Sequence, residues 1–198
     1  MSFDKEVFEK QLNFLVEIDK MKSVFRRTSL IDLTRRENDA EHSWHFAMCA
    51  LVLSQYAAHD IDINRVIKIA LVHDLVEVYA GDTFAYDETG YLDKQERELK
   101  AADKIFGMLP HEQACEFRAL WDEFEEFKTK EACYANAIDR LQPFINNYKT
   151  DGLTWREGHV NKAQVYKRMD PIRLYAPELW PFIVYVVDES IEKGYIQP

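Results

Sequence analysis

Between positions 73 and 82 the chain places one imidazole and three carboxylates, His73, Asp74, Glu77 and Asp82. If this stretch is helical, the residues three, four and seven before His73 are Ala70, Ile69 and Val66, all apolar, and the residue four after it is Glu77. His73 and Glu77 then share the stripe that should meet the core, with Asp74 beside them. An unpaired carboxylate there costs several kcal/mol, or titrates until it is neutral. A divalent cation would satisfy two acids and an imidazole together. A single histidine on an apolar face is more often a hydrogen-bonded core residue, so the reading needs ligands from elsewhere. His42 supplies one, in ENDAEHSWH, and Asp139 another, in EACYANAIDRLQPF, where Ala135, Ile138 and Leu141 predict burial. Two imidazoles and two carboxylates form a mixed N/O set suited to one divalent metal, Mn, Fe, Co, Ni, Zn or Mg, with positions left for water and substrate.

Helices must carry these groups, because three- and four-residue apolar spacing dominates and strand alternation is nearly absent. Val7, Phe8, Leu12, Leu15 and Ile18 predict a first amphipathic helix, and Trp44, Met48, Leu51 and Val52 a second over residues 40–56. Asp62 is a fitting N-cap for a third, ended by Gly81. Residues 82–91 read as a loop. Further helices are predicted over 92–106, 110–127, 129–148, 159–169 and within 177–193, with Pro143 expected to kink or divide its helix. Residues 23–37 fit neither helix nor strand and carry two arginine pairs, Arg26–Arg27 and Arg35–Arg36. A connection of that length in a compact chain is often functional. No repeat or domain boundary is visible, so the expectation is one all-α domain over 1–198, with its motifs in about 10–150 and a helical extension over 151–198.

The formal net charge of −10 argues against general nucleic-acid binding, which selects clustered Lys and Arg, but leaves room for a small anion at a local cationic site. Cys49, Cys115 and Cys133 are odd in number and widely spaced, and Cys49 and Cys133 read as buried thiols rather than a disulfide framework. No membrane span and no signal-like N-terminus is expected, which suggests the cytoplasm. Trp121 and Tyr134 read as core residues, as does Trp44, and His59, His111 and His159 as surface.

The order His42, His73-Asp74, Asp139 resembles the HD-domain superfamily of metal-dependent phosphohydrolases. The words RRENDAEHSW (35–44), HDLVEVYAGD (73–82) and LWDEFEEFKTKEA (120–132) narrow the resemblance to the subgroup of 5′-deoxynucleotidases and their relatives. It implies an HD-type helical bundle in which His42, His73, Asp74 and Asp139 bind one divalent metal. It further implies that Glu77 assists catalysis, that Asp82 belongs to the active site, and that Arg27 holds substrate phosphate. A homodimer is also implied. Thr28 stands where the compared deoxynucleotidases carry a Trp that discriminates against ribose, which implies relaxed sugar selection.

The chemistry expected is release of phosphate from nucleoside 5′-monophosphates, deoxyribonucleotides included. Glu77 would orient or deprotonate water, Asp82 would protonate the departing oxygen, and Arg27, Arg35 or Arg36 and Lys94 would neutralise the phosphoryl oxygens. Arg26, Arg36 and Lys94 read equally well as solvated charges. Glu41 could orient a ligand or favour the helix start, and His45, one turn from His42, could support it. Among HD phosphoesterases the alarmone hydrolases carry Glu-Asp where this chain has Glu77-Val78, and binuclear phosphodiesterases need histidines where only His111 occurs. An HD enzyme of another small phosphoester is one alternative. A non-catalytic metal- and nucleotide-binding protein is the other, and it would not require Glu77 and Asp82.

Overall fold

The computed structural model describes residues 3–87 and 89–198. Helix α1 (Lys5–Ile18) starts where the Asp4 carboxylate accepts from the Glu6 and Val7 amides, a common way to satisfy the orphan donors of a first turn. The segment from Phe25 to Asn38 is a two-stranded antiparallel hairpin, β1 (Phe25–Ser29) against β2 (Arg36–Asn38), rather than an irregular connection. Asn38 then caps α2 (Asp39–Val52) in a reciprocal capping box with Glu41.

Helix α3 (Ile63–Val72) is capped by Asp62 as its sequence predicts. It does not run on to Gly81. Tighter turns follow, with the Leu75 amide on the Val72 carbonyl and the Glu77 amide on the Asp74 carbonyl, before α4 (Glu77–Ala80). Gly81 ends this element at φ +75°, a conformation that penalises any Cβ. Then come α5 (Lys94–Phe106), α6 (His111–Glu126), α7 (Lys130–Lys149), α8 (Leu153–Glu157), α9 (Lys162–Tyr175) and α10 (Trp180–Glu192). Helix α7 continues through Pro143, so the proline does not divide it. Proline lacks the N–H that would reach four residues back, so the Asp139 carbonyl has no helical donor.

Helix α7 forms the centre, packed by α2, α3, α6 and α9. Its small inward residues Ala132, Ala135 and Ala137 are buried and let these neighbours approach closely. Around them lie Phe46, Ile69, Ile138, Leu141, Trp155, Met169 and Ile172, all fully buried. Trp121 and Tyr134 are core, as predicted, whereas Trp44 is 64% exposed. The expected stripe of α2 faces outward altogether: Met48, Leu51 and Val52 are also exposed, and the buried side carries His42, Ser43, Phe46, Ala47 and Ala50. On α1, too, Val7, Phe8, Leu12 and Leu15 are exposed, and Phe14 is the buried anchor, edge-on to Phe117. Cys133 is buried, Cys49 half-buried and Cys115 exposed, all as thiols. Among the described residues no helix is long and apolar enough to cross a membrane.

Candidate active site

The capping box at Asn38 sets the first turn of α2 so that Asp39 and His42 point inward, both with no exposed surface. Gln142, one turn beyond Asp139 on α7, donates from Nε2 to Glu37 Oε1 at 2.8 Å, which fixes its amide orientation because a carboxylate only accepts. Its Oε1 therefore accepts from His42 Nδ1–H at 2.8 Å. The tautomer this imposes turns the Nε2 lone pair of His42 toward Asp139 Oδ1 at 3.0 Å and Asp74 Oδ2 at 3.7 Å. His73 is held in the same way, its Nδ1–H donating to the Ala70 carbonyl at 2.9 Å. Its Nε2 lies 3.1 Å from Asp74 Oδ1 and 3.6 Å from Asp139 Oδ1. Phe46 and Phe124 pack edge-on against the His73 ring, 5.2 and 5.0 Å between centroids.

Two imidazole lone pairs thus face two carboxylates in a buried space, and His73 Nε2 has no hydrogen-bond partner. Like-with-like acceptors at this range need a proton or a cation between them. The spacings fit a cation, because ligands about 2.0–2.2 Å from one ion stand about 3–3.5 Å apart at neighbouring positions. Protonation gives the same message. Burial opposes a charged His73, yet Asp74 and Asp139 push its pKa up to about 10. Asp139, though buried, is held well below the usual carboxylate range by the neighbouring His42 and His73 rings. The donor set fits one divalent metal, with the second ring nitrogens anchored as metal-binding histidines require.

A second group of acids adjoins it. Asp39, Asp74 and Glu77 offer oxygens within 4.8 Å of one another. Arg26 lies among them, its Nη1 at 2.8 Å from Asp74 Oδ2, 3.5 Å from Asp39 and 3.9 Å from Asp82. Burial, then the charge of Asp74, pushes Glu77 well above the ordinary glutamate value. Burial, again with Asp74, lifts Asp39 to about 7. Both acids are thereby biased toward their protonated forms.

Glu77, Asp82 and Lys94 join His73, Asp74 and Asp139 in lining a cavity of about 270 Å³. Lys94 pairs with Glu98 at 3.3 Å. Arg27 is exposed, lies over the Phe84 ring at 5.1 Å, and lines a smaller neighbouring cavity with Thr28. Arg35 is on the surface in a two-pronged pair with Glu41, outside both cavity walls. Arg36 pairs with Glu157 at 2.6 Å. Arg26 is no solvated charge. Strand alternation turns Arg26 and Thr28 inward and Phe25 and Arg27 outward, a signal visible only once residues 25–29 are known to be a strand. His45 reaches Gln142 at 2.9 Å and so supports His42 through it. Gln142 had a signal in the sequence, as a polar residue on the apolar face three after Asp139. Arg140 and Arg168, also on the cavity wall, carried none.

A family model described as HD domain matches residues 18–180. The 5′-deoxynucleotidase HDDC2 of Danio rerio is 28% identical over 158 residues, covering 78% of this chain and 76% of the relative. Its Homo sapiens counterpart is 26% identical over 151 residues, covering 75% and 72%. A crystal structure of a predicted metal-dependent phosphohydrolase from Magnetospirillum magnetotacticum superimposes with a TM-score of 0.94 at 46% identity, covering 100% of this chain and 99% of the other.

Proposed function

The chain belongs to the HD domain family, and on that premise we propose that it is a metal-dependent phosphomonoesterase releasing phosphate from nucleoside 5′-monophosphates, deoxyribonucleotides among them. One observation carries this reading. Both histidines are locked by their Nδ1–H groups so that Nε2 faces Asp74 and Asp139 at the wall of a cavity that Glu77 and Asp82 also line. His42, His73, Asp74 and Asp139 would hold the divalent cation, which supplies Lewis acidity toward phosphorus and lowers the pKa of water.

The chain's own residues do the rest. Glu77, whose carboxyl is raised by burial and by the charge of Asp74, orients water and exchanges a proton with it. Asp82, whose carboxyl is raised by burial, delivers a proton to the nucleoside oxygen as it leaves. Arg26 offsets the charge of Asp74, Asp39 and Asp82. Lys94 and Arg27 face substrate, and Arg35 is left out because Glu41 holds it at the surface. Thr28, small and buried beside Arg27, leaves room for a ribose hydroxyl. The names of the HDDC2 relatives support deoxyribonucleotides as substrates.

We further infer a cytoplasmic homodimer. Three free thiols suit a reducing compartment, and the exposed Trp44, Met48, Leu51 and Val52 of α2 form one continuous helical stripe that a second copy would cover.

The test is to strip metal, restore Mn, Co, Mg or Zn separately, and assay phosphate release from paired ribo- and deoxyribonucleoside 5′-monophosphates. Metal-dependent release, lost in Asp74→Ala, is the expected result. Glu77→Ala should abolish turnover with metal content and Tm nearly intact, whereas retained turnover would remove Glu77 from the chemistry. No release with any metal from a folded, metal-binding protein would overturn the nucleotidase reading.

A further inference from the structure

Six acids line the metal-ligand cavity among the described residues, Asp74, Glu77, Asp82, Glu98, Glu125 and Asp139, and Asp39 stands beside its Arg26, in a chain of net charge −10. A phosphate monoester dianion entering there needs cations not already engaged by these acids. Arg26 is engaged, through its contact with Asp74, and Lys94 faces Glu98. Two arginines on the same wall are different.

Arg140 follows Asp139 on α7, and Arg168 projects from α9, which packs along α7. Among the described residues neither guanidinium is hydrogen-bonded to a carboxylate. Arg140 Nη1 donates to the Arg168 carbonyl at 3.3 Å, and its Nε is buried without a partner. The carboxylate oxygen nearest Arg168 is Asp139 Oδ2 at 3.7 Å, beyond hydrogen-bond range. Holding two like charges side by side in a half-buried wall is unfavourable unless an anion joins them. Both arginines also border an outer cavity of about 490 Å³ whose remaining lining includes Tyr86, Tyr91 and Lys167 and, among the described residues, no carboxylate.

Asp139 relates this pair to the ligand cluster. Its Oδ1 faces His42 Nε2 at 3.0 Å, and its Oδ2 faces Arg168. The arginine pair is thus separated from the ligand nitrogens by a single carboxylate, on the wall of the same cavity.

We propose that Arg140 and Arg168 form the subsite that grips the substrate's phosphate, with the aromatic part of the leaving group lodged in the outer cavity beside Tyr86 and Tyr91. The proposal rests on the phosphomonoesterase reading for its substrate, but the anion subsite itself does not. It assigns a binding role to α9, in the part of the chain that carries no recognisable motif. Guanidinium forks suit this role because they meet phosphate oxygens in pairs.

The experiment uses the full-length, metal-reconstituted protein and inorganic phosphate as probe, by calorimetry and as a competitive inhibitor of turnover. Arg140→Met and Arg168→Met keep most of the apolar stem and remove the fork. Each should weaken phosphate binding on the order of 10- to 100-fold and raise KM in parallel, with metal content and Tm unchanged. Arg168→Lys should recover part of the loss. Arg173→Met, on the same helix but paired with Asp170 at the surface, should change nothing. Unaltered phosphate affinity in the Arg140→Met, Arg168→Met double variant would overturn the proposal. If the wild-type protein hydrolyses no nucleotide, the phosphomonoesterase reading fails by itself, and the phosphate affinities of the same variants still decide the subsite.

Discussion

Gln142 has no exposed surface and meets three polar partners: His42 Nδ1 and Glu37 Oε1 at 2.8 Å and His45 Nδ1 at 2.9 Å. Gln142→Leu keeps the approximate volume and removes all three contacts. The His42 N–H is then buried without an acceptor, a penalty of about 1–3 kcal/mol. The ring also loses the contact that directs its lone pair toward Asp74 and Asp139. Loss of an outer hydrogen bond to a metal-binding histidine typically weakens metal affinity by about 10- to 100-fold. That corresponds to about 1.4–2.7 kcal/mol, close to the penalty reached from the buried N–H. The two routes agree because both describe the same unsatisfied group. The assay is a chelator-competition titration of the Co or Mn affinity of wild type and variant, with metal-free Tm measured alongside. The variant should lose at least tenfold in affinity and about 2–4 °C in Tm per kcal/mol lost. A metal affinity within twofold of wild type would refute the claim that Gln142 sets the His42 tautomer.

Ile138→Ala should cost about 2–5 kcal/mol in denaturant unfolding, because Ile138 is fully buried where α7 meets its neighbours and the space cannot easily close. Arg35→Ala should change stability by less than about 1 kcal/mol and leave KM within about twofold, as expected for an exposed pair with Glu41; a large rise in KM would restore Arg35 to the substrate site. Glu131 is opposed by burial but held below the ordinary glutamate value by the Asp62 amide, its own amide and Lys130. Its folded pKa is depressed, so its contribution should be present above about pH 4.3 and lost as pH falls through the folded value. Glu131→Gln should therefore be less stable than wild type at pH 7 and converge with it in acid, and a gap independent of pH would contradict this. Trp44→Glu with Leu51→Glu should shift a homodimer to monomer in analytical ultracentrifugation with Tm intact, and an unchanged mass would move the interface off α2.

Much of the helical architecture was legible because helices need only local information. Apolar spacing located most of them, and Asp62, acting on amides two and three residues away, marked the start of α3. The residue types at His42, His73, Asp74 and Asp139, with their family resemblance, pointed to a metal before any contact was known. What spacing could not reveal was which side of a helix meets the rest of the chain. On α2 His42 faces inward against Asp139, and with it come Ser43, Ala47 and Ala50, small enough for close approach to α7, so the larger apolar stripe of Trp44, Met48, Leu51 and Val52 is left outside. The same limit hid Arg26, whose direction depends on a hairpin with little alternation of its own, and Arg168, which reaches Asp139 only because α9 folds back on α7. Sequence by itself determined the elements and the donor chemistry, since both follow from neighbours along the chain. Tertiary structure alone decided which charges converge, because that depends on contacts between residues as far apart as 26 and 74 or 139 and 168.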